Sequence, residues 1–451
     1  MSERRAVLLV AAAAFVLCAL LTKSHILGWN DGSRFATVDA LTTNRTVAID
    51  GSPLAAGLGD KIRVRGRTYS DKAPLLPLLG AGVASAVAPL GVGLRTTPMA
   101  AVYLITLLSV GIFFALGCAY AYAFQRLLGF SQRVAFGVAG LTGTATLALS
   151  YAVVFSNHVP SGASALAGCY HLVRARRGSD LDAALGGFFL ALAVAFDVAA
   201  VVFAAVVVVL LWAAPLRHWS FALAAAFPIV AGEVGYNLEI TGSPIPPTFN
   251  GEVWTDASLP LHALSAERVH PYAPAEYAGS VFNLIAGKRG LFLFSPVMAA
   301  AAYGFVLLPR ANLLGARTAW AVGATALVYL LTIVLLQNFI NSASFGERRW
   351  VDLTFVFGIG LGPVLAAQRS ASADLALRVL AALSVAIAAA GTVAPFGGKI
   401  DDWGFTIAIT EFAGLAERAP VQAALDVALL CALVALGQRF IPARRGSLSG
   451  A

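Results

Sequence analysis

The chain alternates long apolar runs with short polar segments over most of its length. Runs of about 18 or more apolar residues recur, and each is long enough to cross a bilayer as a helix. The pattern predicts an all-α polytopic membrane protein, a single integral membrane domain over residues 1–451 with a bundle of about 12 transmembrane helices. The predicted helices cover residues 6–22, 98–122, 134–150, 160–172, two short helices within 183–213, and then 219–238, 290–308, 319–337, 351–367, 376–394 and 421–437.

Asp197 is the one charged residue in the apolar run 183–213. The run is too long for a single span, and a lone aspartate inside hydrocarbon is costly. We therefore predict a turn at Asp197 between two short helices, at the far surface of the membrane.

Arginine is concentrated in the short segments on one predicted side of the membrane. Cytoplasmic segments carry this excess, so we expect a multi-pass protein of the inner (plasma) membrane with both termini in the cytoplasm. Three long polar segments then lie on the extracytoplasmic side, at residues 23–97, 239–289 and 395–420. The first is expected to carry helices that lie along the membrane surface, and the second is long enough for a lid or an acceptor-binding role.

The composition agrees with a membrane protein, because 59% of the residues are hydrophobic, only 12% are charged, and the mean hydropathy is +0.80. Soluble domains are roughly 25% charged. The net charge of +8 fits the cytoplasmic arginine excess and would also favour an anionic lipid substrate. Nucleic acid is excluded as a partner of a chain so apolar. The cysteines lie in apolar segments, which argues against disulfides and zinc sites; these are Cys18, Cys118, Cys169 and Cys431.

Asp31 begins a polar sequence, DGSRFATVDAL, directly after the first apolar run. A carboxylate at the membrane surface can act as a general base on an incoming hydroxyl or amine. It can also be the N-cap of a helix that contains Arg34 one turn later. Spacing alone leaves both interpretations open.

Asp71 and Lys72 end the polar part of this first outer segment, just before a leucine-rich run. A lysine at such a boundary can bind a lipid phosphate as a point charge. It can also lie along the interface with its ammonium in water. Alternating cations upstream predict an exposed two-stranded turn; they are Lys61, Arg63, Arg65 and Arg67.

Two further polar positions lie on the predicted outer side. His158 lies in the break between two predicted helices, where it can contact substrate or satisfy backbone groups at a helix end. Arg348 and Arg349 lie in a short outer loop, where topology does not require arginine. Arginine binds phosphate through a planar fork, and the alternative is an ion pair with Glu347 or Asp352.

The sequences DGSRFA at 31–36 and YSDKAPL at 69–75 resemble the GT-C glycosyltransferases, in particular the branch of the protein O-mannosyltransferases and the aminoarabinose lipid A transferase. Further similar stretches are NHVP at 157–160, RGLFLFSP at 289–296 and SFGERRW at 344–350. The family often has a second acidic residue after the first, where this chain has Gly32.

The resemblance implies a GT-C-like bundle and inverting transfer of a sugar from a polyprenyl-phosphate donor on the extracytoplasmic face. Asp31 would act as the base or orient the acceptor, and Lys72 would hold the donor phosphate. The phosphate-binding chemistry of arginine adds Arg348 and Arg349 to the same site. Supporting residues would be Arg34, Asp71 and His158. The acceptor, a protein, lipid or glycan, is not specified. The chemistry requires no metal or other cofactor, although a divalent ion is not excluded.

Two other classes of function fit the composition. A transporter or lipid flippase is expected to carry ionisable residues near the middle of its helices, whereas most charges here lie at the predicted outer surface. A non-catalytic scaffold would use the outer segments to bind a partner.

Overall fold

The computed structural model describes residues 1–212, 214–247, 250, 253, 274–308, 316–335, 344–367, 369–396, 404–418 and 420–442. Apart from one hairpin, its regular structure is helical. The helices described are α1 Glu3–Leu21, α2 Trp29–Asn44, α3 Leu75–Val87, α4 Pro98–Thr106, α5 Ile112–Leu127, α6 Gln132–Thr144, α7 Leu147–Ala152, α8 His158–Ala175, α9 Asp180–Phe196, α10 Val201–Leu211, α11 Leu216–Thr241, α12 Pro274–Ile285, α13 Leu291–Phe294, α14 Val297–Leu307, α15 Ala316–Leu335, α16 Trp350–Phe357, α17 Leu361–Ala366, α18 Ala371–Gly391, α19 Gly404–Arg418 and α20 Pro420–Arg439.

Four helices among the described residues are long and apolar enough to cross a membrane. They are α1, the continuous helix Pro98–Leu127 that contains α4 and α5, α11, and α18. Some predicted spans are interrupted in the structure. The range 134–150 contains two helices, α6 and α7, and the range 290–308 contains α13 and α14. The all-helical membrane architecture is therefore confirmed, and the number of twelve spans stays a prediction.

The first outer segment contains α2, a hairpin and α3. Strands β1 Lys61–Val64 and β2 Arg67–Ser70 pair antiparallel, with Lys61 opposite Ser70 and Val64 opposite Arg67. The turn between them has positive φ at Arg65 (51°) and Gly66 (77°). Two such residues form the tight turn that matches the twist of paired strands. The predicted two-stranded turn is present and the segment contains helices, whose position along the membrane surface stays a prediction.

Helix α8 lies at the centre of the bundle, and its residues are buried from His158 to Cys169. Its close approach to α16 depends on Gly162, because an added Cβ would lie 2.7 Å from the carbonyl oxygen of Val351. This approach brings the start of α8 against the start of α16. His158 and Asp352, which lie at these two helix starts, are thereby brought to 2.8 Å from each other.

The apolar run 183–213 is interrupted where the sequence predicts. Helix α9 ends at Phe196 and α10 begins at Val201, with a single 3₁₀ turn between them. Asp197 caps this turn, because its Oδ1 accepts a hydrogen bond from the backbone N–H of Ala199 at 3.0 Å. The predicted split at Asp197 is confirmed.

Two helices were not predicted. Helix α12 lies in the predicted loop 239–289, and α19 lies in the predicted loop 395–420. Both mix apolar and polar residues, so neither stands out as an apolar run. Residues 254–273 and 397–403 of those loops lie outside the described residues.

Candidate functional site

Lys72 lies between two carboxylates. Its Nζ is 2.8 Å from Asp60 Oδ2 and 2.7 Å from Asp71 Oδ2. The side chains of Lys72 and Asp60 are each only 13% exposed, so both charges are largely removed from water. Asp60 was missed by sequence analysis, although the hairpin register indicates it. Because Lys61 pairs with Ser70, the preceding Asp60 lies beside the following Asp71.

Serine side chains fix the position of this hairpin end against α2. The Ser33 hydroxyl donates to the carbonyl oxygen of Asp60 at 2.5 Å and lies 2.6 Å from the Ser70 hydroxyl. Ser70 Oγ also accepts the backbone N–H of Lys72 at 3.2 Å. These bonds attach the hairpin to the helix that carries Arg34.

The Arg34 guanidinium is buried, and Arg34 is 2% exposed. It donates to the carbonyl oxygen of Asn30 at 2.8 Å and to Asn157 Oδ1 at 2.5 Å. Its Nε has no hydrogen-bond partner among the residues that the structure describes. Burial, followed by the positive charge of Arg348, lowers the pKa of Arg34 to about 10. The charges of two guanidinium groups from distant parts of the chain therefore act on each other.

Arg348 and Arg349 have different surroundings. Arg349 Nε donates to Glu347 Oε1 at 2.8 Å, so the predicted ion pair is present and its partner is Glu347. Burial alone would raise the pKa of Glu347, but Arg349 and neighbouring arginines lower it. The side chain of Arg348, in contrast, makes no hydrogen bond or ion pair within the described part of the chain.

The pKa values of the two carboxylates beside Lys72 are shifted in opposite directions. Burial would raise the pKa of Asp60, but the adjacent Lys72 lowers it below its usual value. Burial raises the pKa of Asp71, and Lys72 only partly offsets the effect. With both carboxylates ionised, the cluster of Arg34, Lys72 and Arg348 with Asp60 and Asp71 carries a formal charge of +1, and protonation of Asp71 makes it +2. The cluster favours an anion.

The contacts of Asp31 are those of a helix cap. Its carboxylate accepts backbone N–H groups from Leu27 and Gly28, each at 2.9 Å, and from Gly32 at 3.1 Å. Asp31 is 1% exposed, and burial raises its pKa despite these bonds. The predicted N-cap position is wrong, because the N-cap of α2 is Gly28 and Asp31 is the third residue of the helix, where its carboxylate accepts the backbone N–H of Gly28. A role as general base stays a prediction.

A second polar cluster adjoins the first through Asn157. The Asn157 amide donates to Asp197 Oδ2 at 2.9 Å, while its carbonyl oxygen accepts from Arg34. His158 Nδ1 lies 3.1 Å from Asp197 Oδ2 and 2.8 Å from Asp352 Oδ2. The start of α8, the turn after α9 and the start of α16 therefore meet here. Sequence analysis singled out His158 but not its two carboxylate neighbours.

No protein-family model matches the chain, and no curated protein matches it in sequence. Solved structures do match it. ArnT from Cupriavidus metallidurans in the apo state has a TM-score of 0.52 at 16% identity, over 96% of this chain and 76% of ArnT. The fold is that of the GT-C glycosyltransferases. ArnT bound to undecaprenyl phosphate gives a TM-score of 0.51 at 14% identity, with the same coverage of both chains.

An archaeal GT-C enzyme is also similar. The oligosaccharyltransferase AglB from Archaeoglobus fulgidus, in complex with an inhibitory peptide and a dolichol-phosphate, has a TM-score of 0.50 at 14% identity. The match covers 94% of this chain and 59% of AglB. Together these similarities confirm the predicted GT-C-like membrane fold and leave the residue roles as proposals.

Proposed function

We propose that this protein is a membrane glycosyltransferase that moves a sugar from a polyprenyl-phosphate donor to an acceptor by an inverting mechanism at the extracytoplasmic face. The observation that carries the proposal is the Arg348 side chain, which makes no hydrogen bond or ion pair in the described part of the chain and whose charge acts on the buried Arg34 and on Asp60. Guanidinium groups bind phosphate through planar, charge-assisted hydrogen bonds, so a buried Arg34 and an Arg348 without a hydrogen-bonding partner among the described residues favour a phosphate ligand.

The chemistry of the transfer supports this assignment. When the sugar leaves its carrier, the lipid phosphate gains negative charge, and preorganised cations stabilise that charge in the transition state. Arg34 and Lys72 are fixed by buried contacts before any donor binds. Little reorganisation is then needed when the phosphate departs.

The solved structures with the same fold also support a lipid phosphate as the ligand. ArnT was solved with undecaprenyl phosphate and AglB with dolichol-phosphate. The arginine excess in the short segments of the opposite side supports an extracytoplasmic location for Lys72 and Arg348. The acceptor class stays open.

Two carboxylates are candidates for the base. Asp31 is the sequence-based assignment, and its oxygens accept three backbone N–H groups. Asp71 lies against Lys72, and burial raises its pKa. Asp31→Asn and Asp71→Asn, compared in one turnover assay on protein of matched melting temperature, assign the base to the variant that loses transfer while it retains donor binding.

The proposal is tested first by lipid binding. Purified protein in nanodiscs is titrated with undecaprenyl phosphate, and Arg348→Ala is compared with the wild type. Loss of one charged hydrogen-bond donor costs about 1.5–3 kcal/mol, so we expect a roughly 10- to 100-fold higher Kd. Arg67→Ala is the matched control, because Arg67 is an exposed arginine of the same outer surface.

The second test is turnover. Undecaprenyl-phosphate-linked sugars incubated with the protein and cell-envelope extract should release undecaprenyl phosphate, and Arg348→Ala should slow the release. If the wild type binds undecaprenyl phosphate no more tightly than Arg348→Ala, the anion site is refuted. If binding is intact but only movement of the lipid across the bilayer is observed, the flippase alternative is correct.

A further inference from the structure

The last turn of α8 carries arginines on the opposite side of the bundle from the donor site. Helix α8 has 18 residues, so its two ends are about 27 Å apart. Its far end carries Arg174, Arg176 and Arg177, and all three are exposed. Helix α9 runs back along α8, since Asp197 contacts the start of α8 and Asp182 contacts its end. The arginines therefore lie on the predicted cytoplasmic side.

Two aspartates at the start of α9 are already paired. Asp182 Oδ1 lies 2.7 Å from His171 Nδ1, and Asp182 Oδ2 lies 3.4 Å from Arg174 Nε. Asp180 Oδ1 lies 3.2 Å from Arg217 Nε at the start of α11. These contacts attach the end of α8 and the start of α11 to the start of α9. The two helices thus contribute their arginines to one surface.

We call Arg174, Arg176, Arg177 and Arg217 the inner arginine surface. The side chains of Arg176 and Arg177 make no hydrogen bond or ion pair within the described part of the chain. Four arginines and the two ionised aspartates beside them give this surface a formal charge of +2. The dipole of α8 favours cations at its C-terminus. It occupies no guanidinium N–H, so both side chains keep their donors for an anion.

Large apolar side chains are exposed beside these arginines. Leu181 in the first turn of α9 is 70% exposed, and Leu216, which directly precedes Arg217, is 82% exposed. Trp212, at the end of α10, is 69% exposed, and tryptophan is typical of the level of lipid headgroups. A soluble anion would contact only the guanidiniums. A phospholipid offers a phosphate to the arginines and acyl chains to the leucines, so the mixed surface favours a lipid.

We propose that the inner arginine surface binds an anionic phospholipid of the predicted cytoplasmic leaflet. The lipid phosphate contacts Arg176 and Arg177, and the acyl chains lie along Leu181 and Leu216. Clusters of basic residues at a membrane surface attract anionic headgroups in this way. The surface shares no residue with the donor site, so the proposal does not depend on the proposed glycosyltransferase function.

The experiment measures lipid binding to the purified full-length protein in detergent by native mass spectrometry. Phosphatidylglycerol is the probe, and phosphatidylcholine is the zwitterionic comparison. We expect the first phosphatidylglycerol to bind roughly tenfold more tightly than phosphatidylcholine. The double variant Arg176→Ala/Arg177→Ala should weaken phosphatidylglycerol binding by about 10- to 30-fold.

The matched control is the double variant Arg4→Ala/Arg5→Ala. Arg4 and Arg5 are also adjacent, exposed and on the predicted cytoplasmic side. This variant removes the same number of charges from another place and should keep the wild-type affinity. All variants change exposed side chains, and their melting temperatures are compared with that of the wild type before binding is measured.

Four results would overturn the proposal. Phosphatidylcholine could bind as tightly as phosphatidylglycerol, or Arg176→Ala/Arg177→Ala could leave the Kd unchanged. Equal weakening in both double variants would mean a diffuse attraction to the positive face of the protein. Displacement of the lipid by an equal concentration of inorganic phosphate would mean that a free anion is the ligand. No polyprenyl phosphate is present, so failure here is distinct from failure of the donor site.

Discussion

If Lys72 binds a donor phosphate, as proposed, Asp60 competes with that phosphate for the Lys72 ammonium, and Asp60→Asn tests this competition. Asp60 and Asp71 contact the same ammonium at 2.8 and 2.7 Å. The replacement by asparagine keeps the size of the side chain and removes one negative charge. Lys72 then keeps Asp71 as its only carboxylate partner among the described residues, and the cluster gains one unit of positive charge.

The replacement should lower the stability of the protein and raise its affinity for the lipid phosphate. Breaking a buried ion pair costs about 3–5 kcal/mol when a charge is left unpaired. Lys72 keeps Asp71, so a smaller loss of stability is expected, on the order of 1–2 kcal/mol. For the ligand, a unit charge about 6 Å from a phosphate contributes about 3 kcal/mol at an effective dielectric constant of about 20. Because Asp60 is 13% exposed, solvent screens part of this repulsion. We expect a roughly tenfold tighter Kd.

The assay combines a melting curve with an undecaprenyl phosphate titration on the same nanodisc preparation. Asp60→Asn should melt at a lower temperature than the wild type and bind the lipid more tightly. Asp39→Asn serves as the control, because it removes a carboxylate from the same outer segment away from Lys72. It should leave lipid binding unchanged.

A weaker Kd in Asp60→Asn, with the variant still folded at the assay temperature, would refute this reasoning. It would mean that Asp60 holds Lys72 in its binding position and does not oppose the anion. An unchanged Kd would mean that the phosphate does not approach Lys72.

Three further predictions concern other parts of the account. Asp31→Ala removes the acceptor of three backbone N–H groups, so the free energy of unfolding should fall by about 1–2 kcal/mol in a denaturation assay. Gly304→Ala places a methyl group onto the carbonyl oxygen of Gly360 and should lower the melting temperature, whereas Gly232→Ala, with open space around it, should not. Burial raises the pKa of Asp71, so its proton is lost at higher pH than that of an ordinary aspartate. Binding of a polyprenyl phosphodiester should therefore tighten as the pH falls through the pKa of Asp71. The Asp71→Asn variant should bind tightly at every pH in that range.

Features with a local signal were predicted from the sequence. The hairpin follows from alternating residues around an Arg65-Gly66 turn, and the break at Asp197 follows from the cost of a charge within an apolar run. The ion pair of Arg349 with Glu347 involves residues two positions apart. In each case the interaction that decides the structure lies within a few residues.

Features that depend on the packing of distant segments were not predicted. Asp352 was considered only as a partner for arginine, whereas it meets His158 because Gly162 lets α8 approach α16 closely. Asp197 was predicted to lie in a turn at the membrane surface. Its contact with His158 depends on how α8 and α9 pack, which the sequence does not specify. Of these three aspartates, Asp60 is the one whose position the sequence indicates, because the strand register places it beside Asp71.

The central claim is that Arg34, Lys72 and Arg348 together bind the phosphate of a polyprenyl carrier. The most direct measurement is a cryo-electron microscopy structure of the protein with undecaprenyl phosphate. The account predicts phosphate density within hydrogen-bond distance of the Arg348 guanidinium and the Lys72 ammonium. Phosphate density at another site, with Arg348 still unoccupied, would contradict it.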